Sequence, residues 1–275
     1  MSQYESQLVG KVALVTGASA GIGEALAREV VRRGGSVLLL ARREERVKEL
    51  ATELGERALG VGGDVTRDGD VARAATLARE RFGGLDLLFA NAGFGVGGRF
   101  DELSLDDYRR QFETNVFGVL RSANEALPEL RARGGAIGIV GSVNGYVSIP
   151  GWSAYCMSKH AVRSFATCLR AEVAKQGVSV THLAPGFVES EFRRVDNQAK
   201  LSESARDPVP AFLTMPADRA AISMLDAVLS RRAEAVITAH GKVAVGFERH
   251  APWLVSRALD VGAGLARRFS KTPTQ

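Results

Sequence analysis

Cysteine, histidine and long apolar runs are scarce in this chain of 275 residues. The two cysteines and four histidines do not have the spacing of metal ligands, so the sequence predicts no metal site. Cys156 and Cys168 fall on one predicted helix, too far apart for a disulfide bond. Because the N-terminus also lacks the basic and apolar regions of a signal peptide, we expect a cytoplasmic protein with reduced thiols. No stretch is apolar for long enough to span a membrane.

The net charge of +5 is dispersed along the chain. Basic residues alternate with acidic ones on predicted helices, as in residues 42–46, and no aromatic residues interleave with a basic patch. This pattern is typical of a solvated surface and predicts no nucleic-acid partner. The sequence has no Pro/Gly/Ser-rich linker and no internal repeat, so its length suits a single α/β domain.

Apolar runs that alternate with amphipathic stretches predict βαβ units around a parallel sheet. The predicted strands are residues 11–16, 36–41, 57–62, 86–90, 136–141, 178–184 and 235–238. The predicted helices lie near 21–33, 43–54, 68–82, 104–133, 155–176 and 216–231. Seven strands with helices on both faces form a doubly wound α/β fold, in which ligands bind beyond the carboxyl ends of the strands.

A glycine-rich turn joins the first predicted strand to the first predicted helix. Gly17, Gly21 and Gly23 follow an apolar run at residues 12–15. Glycine permits a tight turn and a close approach to a pyrophosphate, and a helix N-terminus binds phosphate through its N–H groups. The spacing Gly-x-x-x-Gly-x-Gly differs from Gly-x-Gly-x-x-Gly, but the same physical reasons predict nucleotide binding.

Tyr155 and Lys159 are four residues apart on a predicted helix and therefore share one face. A lysine ammonium there is expected to stabilise a phenolate and to lower the pKa of the tyrosine from its usual value of about 10. A tyrosine with a lowered pKa can act as a general acid or base.

In combination, these motifs resemble those of the short-chain dehydrogenase/reductase family. Residues 16–23 match the family's cofactor loop, Asn91-Ala92-Gly93 its motif after the fourth strand, and Pro185-Gly186 its motif after the sixth. The family's four catalytic positions are matched, in order, by Asn115, Ser142, Tyr155 and Lys159. The resemblance covers residues 8–240 and implies a Rossmann-like dinucleotide-binding and catalytic domain over residues 1–240.

The resemblance also implies a role for each catalytic candidate. Tyr155 would exchange a proton with the substrate oxygen, Ser142 would hold that oxygen, and Lys159 would hold the nicotinamide ribose. Asn115 is similar to the family residue that kinks a helix and holds a water that relays protons to the lysine. The implied reaction interconverts a ketone or aldehyde and an alcohol by hydride transfer with a nicotinamide cofactor.

The end of the second predicted strand indicates the cofactor. NAD-preferring sites usually have Asp or Glu there, whereas this chain has Arg42 and Arg43, which together with the Ser19 hydroxyl can hold a 2′-phosphate. We therefore predict NADP(H), although family members with that preference often have a basic residue where this chain has Ala20. The predicted cofactor contacts are Gly17, Ser19, Ala20, Gly21, Ile22, Gly23, Arg42, Arg43, Asp64, Val65, Asn91, Ala92, Gly93, Tyr155, Lys159, Pro185, Gly186, Val188 and Ser190.

Two further segments follow the predicted catalytic residues in the sequence. Residues 187–215 form a long irregular connection of the kind that serves as a lid or binding loop. Its apolar residues indicate a hydrophobic substrate wall or packing against the domain. Residues 241–275 form an extension in which Leu254, Ala258, Val261, Leu265 and Phe269 recur at helical spacing. We expect this extension to pack on the domain or to form a subunit interface, in preference to a membrane-surface helix.

Two alternatives to the dehydrogenase interpretation stay open. Residues 17–21 fit the Gly-x-Ser-x-Gly elbow of a serine hydrolase, with Ser19 as nucleophile and Asp226 and His240 as candidate partners. The second alternative is a regulatory protein that binds NADP(H) without turnover. For the preferred interpretation, the resemblance implies a small carbonyl or alcohol substrate and a homodimer or homotetramer formed through helices 104–133 and 155–176.

Overall fold

The computed structural model describes residues 7–198 and 209–269, the last nine of these as backbone only. Seven parallel strands form one sheet in the order β3-β2-β1-β4-β5-β6-β7. The strands are β1 (Val12–Thr16), β2 (Ser36–Ala41), β3 (Ala58–Gly62), β4 (Leu87–Ala90), β5 (Ala136–Val140), β6 (Ser179–Ala184) and β7 (Glu234–Val236). The predicted doubly wound fold and its seven strands are confirmed, with boundaries that move by at most two residues.

Helices cover both faces of the sheet. They are α1 (Gly21–Arg32), α2 (Glu44–Leu54), α3 (Asp70–Phe82), α4 (Leu105–Phe112), α5 (Gly118–Arg133), α6 (Ser153–Val173), α7 (Ala217–Leu229), α8 (Ala239–His250) and α9 (Pro252–Phe269). One apolar core joins the sheet to α1, α2 and α7, and the other joins it to α3, α5 and α6. Because both faces are covered, β1 and β5 are apolar and buried at nearly every position.

The single helix predicted over residues 104–133 is interrupted in the structure. α4 ends at Phe112, residues Glu113–Phe117 form a π-helical turn, and α5 begins at Gly118. Such a turn adds one residue to a helix and is frequent at functional sites. The predicted helical stretch is present, and the π-helical turn contains Asn115, the residue at which the family resemblance implied a kink.

The chain after β7 continues as α8 and α9. Thr238 begins α8 by accepting a hydrogen bond from the Gly241 N–H. The side chains of Val261, Leu265 and Phe269, which belong to the predicted apolar stripe, lie outside the described residues, as do positions 199–208 of the predicted lid. Within the described ranges, no helix is both long and apolar enough to cross a bilayer.

The strand order reverses between β1 and β4, which leaves a crevice beyond their carboxyl ends. The glycine-rich turn follows β1 and the Asn-Ala-Gly motif follows β4 at this point. Ser142 lies just beyond β5, and Pro185 follows β6 directly. The topology therefore brings all four motifs to one edge of the sheet.

Candidate active site

One cleft of about 850 Å³ collects most of the predicted site residues. Every predicted cofactor contact except Gly23 lines this cleft, and so do Ser142, Tyr155 and Lys159. Gly23 lies beneath the glycine-rich turn, where an added Cβ would be 2.3 Å from the carbonyl oxygen of Gly17. Asn115 is also outside the lining and is fully buried behind it.

The glycine-rich turn forms the first wall of the cleft. Gly17 and Gly21 have φ angles of 67° and 57°, in the left-handed region that favours glycine. A Cβ added to Gly17 would lie 2.8 Å from the Ala92 Cα, and a Cβ added to Gly21 would lie 2.8 Å from the Ser190 Cβ. Ala20 begins α1 without a side-chain cap. The first N–H groups of α1 are therefore available to an anion in the cleft.

Asn91 ties the ends of β1 and β4 together. Its Nδ2 donates to the carbonyl oxygens of Thr16 at 2.9 Å and Gly17 at 3.2 Å. The Thr16 hydroxyl accepts in turn from the N–H groups of Asn91 and Ala92, at 3.0 and 3.1 Å. This reciprocal bonding fixes the glycine-rich turn against the neighbouring strand.

Ser142 and Tyr155 both line the cleft wall, and the Ser142 hydroxyl is one of the groups that act on the pKa of Tyr155. Ser142 follows β5 and caps the turn Val143–Gly145, where its Oγ accepts from the Asn144 N–H at 3.1 Å. Tyr155, in the first turn of α6, is 8% exposed. Burial raises the pKa of Tyr155 to about 12, against the opposing effects of the nearby Ser142 hydroxyl and the Arg193 charge. The phenol is therefore protonated at neutral pH.

Lys159 does not produce the expected lowering of the pKa of Tyr155. Its Nζ donates to the Val140 carbonyl oxygen at 2.9 Å and lies 5.7 Å from the centroid of the tyrosine ring. Burial lowers the pKa of Lys159 to about 8. Because both side chains are removed from water, desolvation dominates both pKa values, and it favours the neutral form of each group.

Asn115 organises the backbone that follows β4. From the π-helical turn, its Nδ2 donates to the Phe94 carbonyl oxygen at 2.9 Å and its Oδ1 accepts from the Phe94 N–H at 3.1 Å. Gln111, which no motif indicated, adds a bond to the same carbonyl at 2.8 Å and accepts from the Val96 N–H at 2.6 Å. Ser158 on α6 lies 3.4 Å from Nδ2 of Asn115. Two buried amides thus hold the cleft floor.

Two of the three predicted phosphate ligands are in direct contact. The Arg43 Nη2 lies 3.0 Å from the Ser19 Oγ and 2.8 Å from a carboxylate oxygen of Glu191. Arg42 lines the same end of the cleft. No sequence pattern indicated Glu191 at this position, since it lies 148 residues from Arg43 along the chain. The acid reduces the net positive charge available at this corner.

The other end of the cleft contains residues that no motif identified. The rings of Trp152 and Phe192 lie 6.0 and 5.3 Å from that of Tyr155. His240, at the start of α8, accepts from the Phe187 N–H at 3.0 Å and stacks on its ring at 5.2 Å. Burial lowers the pKa of His240, so this imidazole is neutral at neutral pH.

The connection after β6 is closed at its base. Val188 and Met215 form a parallel bridge. The Met215 N–H donates to the Phe187 carbonyl oxygen, and the Glu189 N–H donates to the Met215 carbonyl oxygen, both at 2.9 Å. The first part of the connection forms the short helical turn Glu191–Arg194. Its residues therefore enter the cleft from a fixed base.

The structure does not assemble the serine hydrolase triad. The Ser19 hydroxyl bonds to Arg43, and Asp226 pairs with Arg33 at 2.6 Å. His240 bonds to the Phe187 backbone and the Thr238 hydroxyl. Among the described residues, no group of three or more His, Cys, Asp or Glu side chains is arranged to hold a metal ion.

Comparison with known proteins gives consistent matches. Residues 11–201 match the family model for short chain dehydrogenases. The oxidoreductase BOA17 of Botryotinia fuckeliana is 35% identical over 205 residues, which cover 74% of this chain and 75% of that protein.

Two solved structures share the fold. A short chain dehydrogenase/reductase from Burkholderia phymatum in complex with NAD has a TM-score of 0.78 at 27% identity, covering 88% of this chain and 93% of that chain. An alcohol dehydrogenase from the archaeon Thermococcus sibiricus complexed with 5-hydroxy-NADP has a TM-score of 0.71 at 29% identity, covering 82% and 95%. The relatives thus include proteins with either nucleotide. By its fold, its motifs and these matches, this chain belongs to the short-chain dehydrogenase family of oxidoreductases.

Proposed function

We propose that this protein interconverts a ketone or aldehyde with an alcohol, using NADP(H) and Tyr155 as general acid or base, on a substrate with a hydrophobic body. The observation that carries the proposal is that Ser142, Tyr155 and Lys159 lie together in the wall of the cleft that the glycine-rich turn also lines. Lys159 lies one helical turn from Tyr155 in the same wall.

The residues of the cleft fit a dinucleotide. The glycine-rich turn lines the cleft, and together with the N-terminus of α1 it suits a pyrophosphate. A bound nicotinamide supplies or accepts the hydride at the carbonyl carbon. The preference for NADP(H) rests on Arg42 and Arg43, which both line this end of the cleft, and Arg43 is shared between Ser19 and Glu191.

Tyr155 holds the proton that reduction requires. With its pKa raised to about 12 by burial, the phenol stays protonated at neutral pH and can donate to a developing alkoxide. The Ser142 hydroxyl, which lines the same cleft wall, can donate to the substrate oxygen and fix its position. The reverse reaction needs the phenolate, which the Ser142 hydroxyl and the Arg193 charge favour against the effect of burial.

Asn115 acts in this proposal as a positioning residue. Both ends of its amide are engaged with the Phe94 backbone, so its contribution is to hold the cleft floor and the π-helical turn. The water relay that the family resemblance implies would have to form beside these bonds, on the Ser158 side of the amide.

We also propose a homodimer or homotetramer formed through α4, α5 and α6. Phe117 and Met157 lie at the surface of this part of the molecule and are 48% and 52% exposed. Exposed large apolar side chains on neighbouring elements are a common mark of a subunit contact. Light scattering of the wild type and of Phe117→Ser tests this assembly, which should be smaller in the variant.

Tyr155→Phe tests the function. We expect loss of NADPH oxidation by roughly 10²–10⁴-fold across a panel of ketones, because the proton donor is removed. Binding of NADPH, followed by its fluorescence, should be nearly unchanged. Tyr108→Phe is the matched control, since Tyr108 bonds to Ser153 and does not line the cleft. Full turnover in Tyr155→Phe would contradict the mechanism, whereas nucleotide binding without any wild-type turnover would favour the regulatory alternative.

A further inference from the structure

The cleft extends past the catalytic residues into a mostly apolar half. Trp152 and Phe192 flank the Tyr155 ring at 6.0 and 5.3 Å. The apolar side chains that line this half are Phe94, Ile149, Trp152, Phe187, Phe192 and Val195. Such a wall binds the apolar body of a ligand, and its few polar groups fix the ligand's orientation.

Arg193 brings a positive charge into this apolar half. It is half-buried and lines the cleft. Its Nη2 donates to the Val188 carbonyl oxygen at 3.3 Å, and its guanidinium carbon lies 5.8 Å from the centroid of the Phe187 ring. Burial raises the pKa of Tyr155, and the Arg193 charge acts against that rise. The guanidinium is therefore close enough to act on the proton-donating phenol.

Among the described residues, the acidic ones that line the cleft are Glu191 and Asp64, and both belong to its cofactor half. Glu191 pairs with Arg43 at 2.8 Å, and Asp64 accepts from the Thr66 N–H at 2.9 Å. At the substrate end, burial lowers the pKa of His240 and keeps this imidazole neutral. The charge on the described substrate side therefore comes from Arg193 and the catalytic lysine, both positive.

We propose that the substrate is an apolar oxo acid or hydroxy acid, whose carboxylate binds Arg193 while its carbonyl or alcohol faces Tyr155. This inference rests on the proposed function and makes Arg193 the specificity-determining residue. A guanidinium binds a carboxylate through two parallel N–H···O bonds. Partial burial of Arg193 beside the Phe187 ring strengthens such a pair relative to the same pair on a fully exposed surface.

Matched pairs of ketones test the inference by turnover. Benzoylformate and benzoylpropionate are compared with their methyl esters, which keep the ketone and the ring but remove the charge. We expect kcat/KM of the wild type to favour the acid in at least one pair. Arg193→Gln should lower that acid-to-ester ratio by about tenfold or more, as expected for a hydrogen bond to a charged group. Arg194→Gln, next in sequence but outside the cleft lining, should leave the ratio unchanged.

Ligand binding provides a second readout that does not need catalysis. Trp152 lines the cleft, so its fluorescence reports phenylbutyrate and the uncharged phenylbutyramide, with Trp152→Phe identifying the signal. We expect the wild type to bind the acid more tightly and Arg193→Gln to lose that preference. Equal binding of acid and amide by the wild type, or an acid preference that survives in Arg193→Gln, would overturn the inference. Absence of nucleotide binding and of all turnover contradicts instead the proposed function, and the acid–amide comparison then still decides the role of Arg193.

Discussion

Arg43 and Glu191 form an ion pair of 2.8 Å between the end of β2 and the short helical turn that follows Ser190. The same guanidinium contacts the Ser19 hydroxyl at 3.0 Å. The pair thus connects the two sides of the cleft at the end where a 2′-phosphate is expected. A phosphate placed there would compete with Glu191 for the same N–H donors.

Replacing Glu191 should therefore strengthen NADPH binding selectively. For Glu191→Gln we expect the Kd for NADPH to fall by roughly two- to fivefold, the scale of a half-exposed ion pair, and the Kd for NADH to stay constant. Fluorescence titration at low and high salt measures both, and the gain should shrink with salt. Glu189→Gln is the control, since Glu189 does not line the cleft. An equal change in the Kd for NADPH and in the Kd for NADH would show that Glu191 takes no part in phosphate recognition.

The pH dependence of ketone reduction should follow Lys159. Burial lowers the pKa of this lysine to about 8 and raises that of Tyr155 to about 12. The ammonium is present below pH 8 and lost above it, so kcat/KM should decline as the pH rises through about 8, well before the phenol titrates. Stopped-flow or steady-state rates of ketone reduction between pH 6 and pH 10 measure this decline. A rate that stays constant up to pH 10 would refute the assignment of this decline to Lys159.

The same lysine should lower the stability of the fold. Its depressed pKa means that the unfolded chain binds more protons than the folded chain between pH 8 and pH 10.5. The lysine's contribution to stability therefore rises with pH across this window and is least favourable below it. Lys159→Met should raise the free energy of unfolding at pH 7 by roughly 1–3 kcal/mol while abolishing turnover. Urea unfolding at pH 7 and pH 10.5 tests this, because the gain should be smaller at the higher pH.

Asp86 is a stability residue remote from the cleft. It is 3% exposed and accepts bonds from Lys11 Nζ at 2.9 Å, the Val12 N–H at 3.0 Å and Arg133 at 3.2 Å. Burial alone would raise the pKa of Asp86, but these bonds outweigh it and lower the pKa. Asp86→Asn should cost roughly 2–4 kcal/mol. The exposed Asp106, paired with Arg109 three residues on, is the control, with Asp106→Asn expected to change stability by less than about 0.5 kcal/mol.

The sign of the Asp86 effect also predicts acid sensitivity. Since its folded pKa is lowered, its contribution is present above the unfolded value of about 3.9 and is lost as the pH falls below it. The stability difference between wild type and Asp86→Asn should therefore shrink in acid. Denaturant midpoints of both proteins at pH 7 and pH 3 measure this, and a constant difference would show that the charge is not what stabilises.

The elements that could be predicted from the sequence are those that local patterns determine. The strands are short apolar runs between amphipathic stretches, and their parallel order places Gly17, Asn91, Ser142 and Pro185 at one sheet edge. The spacing of four residues along α6 likewise places Tyr155 and Lys159 in the same wall of the cleft. These relationships involve neighbours in sequence or the ends of regular elements, so they do not depend on side-chain packing.

The features that were not predicted depend on long-range packing. The pKa of Tyr155 follows from burial by Trp152 and Phe192, and the second of these comes from a separate segment. Glu191 reaches Arg43 across 148 residues. Gln111 matched no motif because its role is to satisfy the backbone of Phe94 and Val96, which only the folded chain brings near.

The bridge between Val188 and Met215 has a consequence for how this enzyme family diversifies. With its two ends bonded to each other, the connection between them closes on a fixed base, so a change in its length adds little to the entropy of closing it. The same connection reaches the glycine-rich turn through Ser190 and Arg43 through Glu191. Exchange of this one segment during evolution is therefore expected to change the substrate half and the cofactor half of the cleft together.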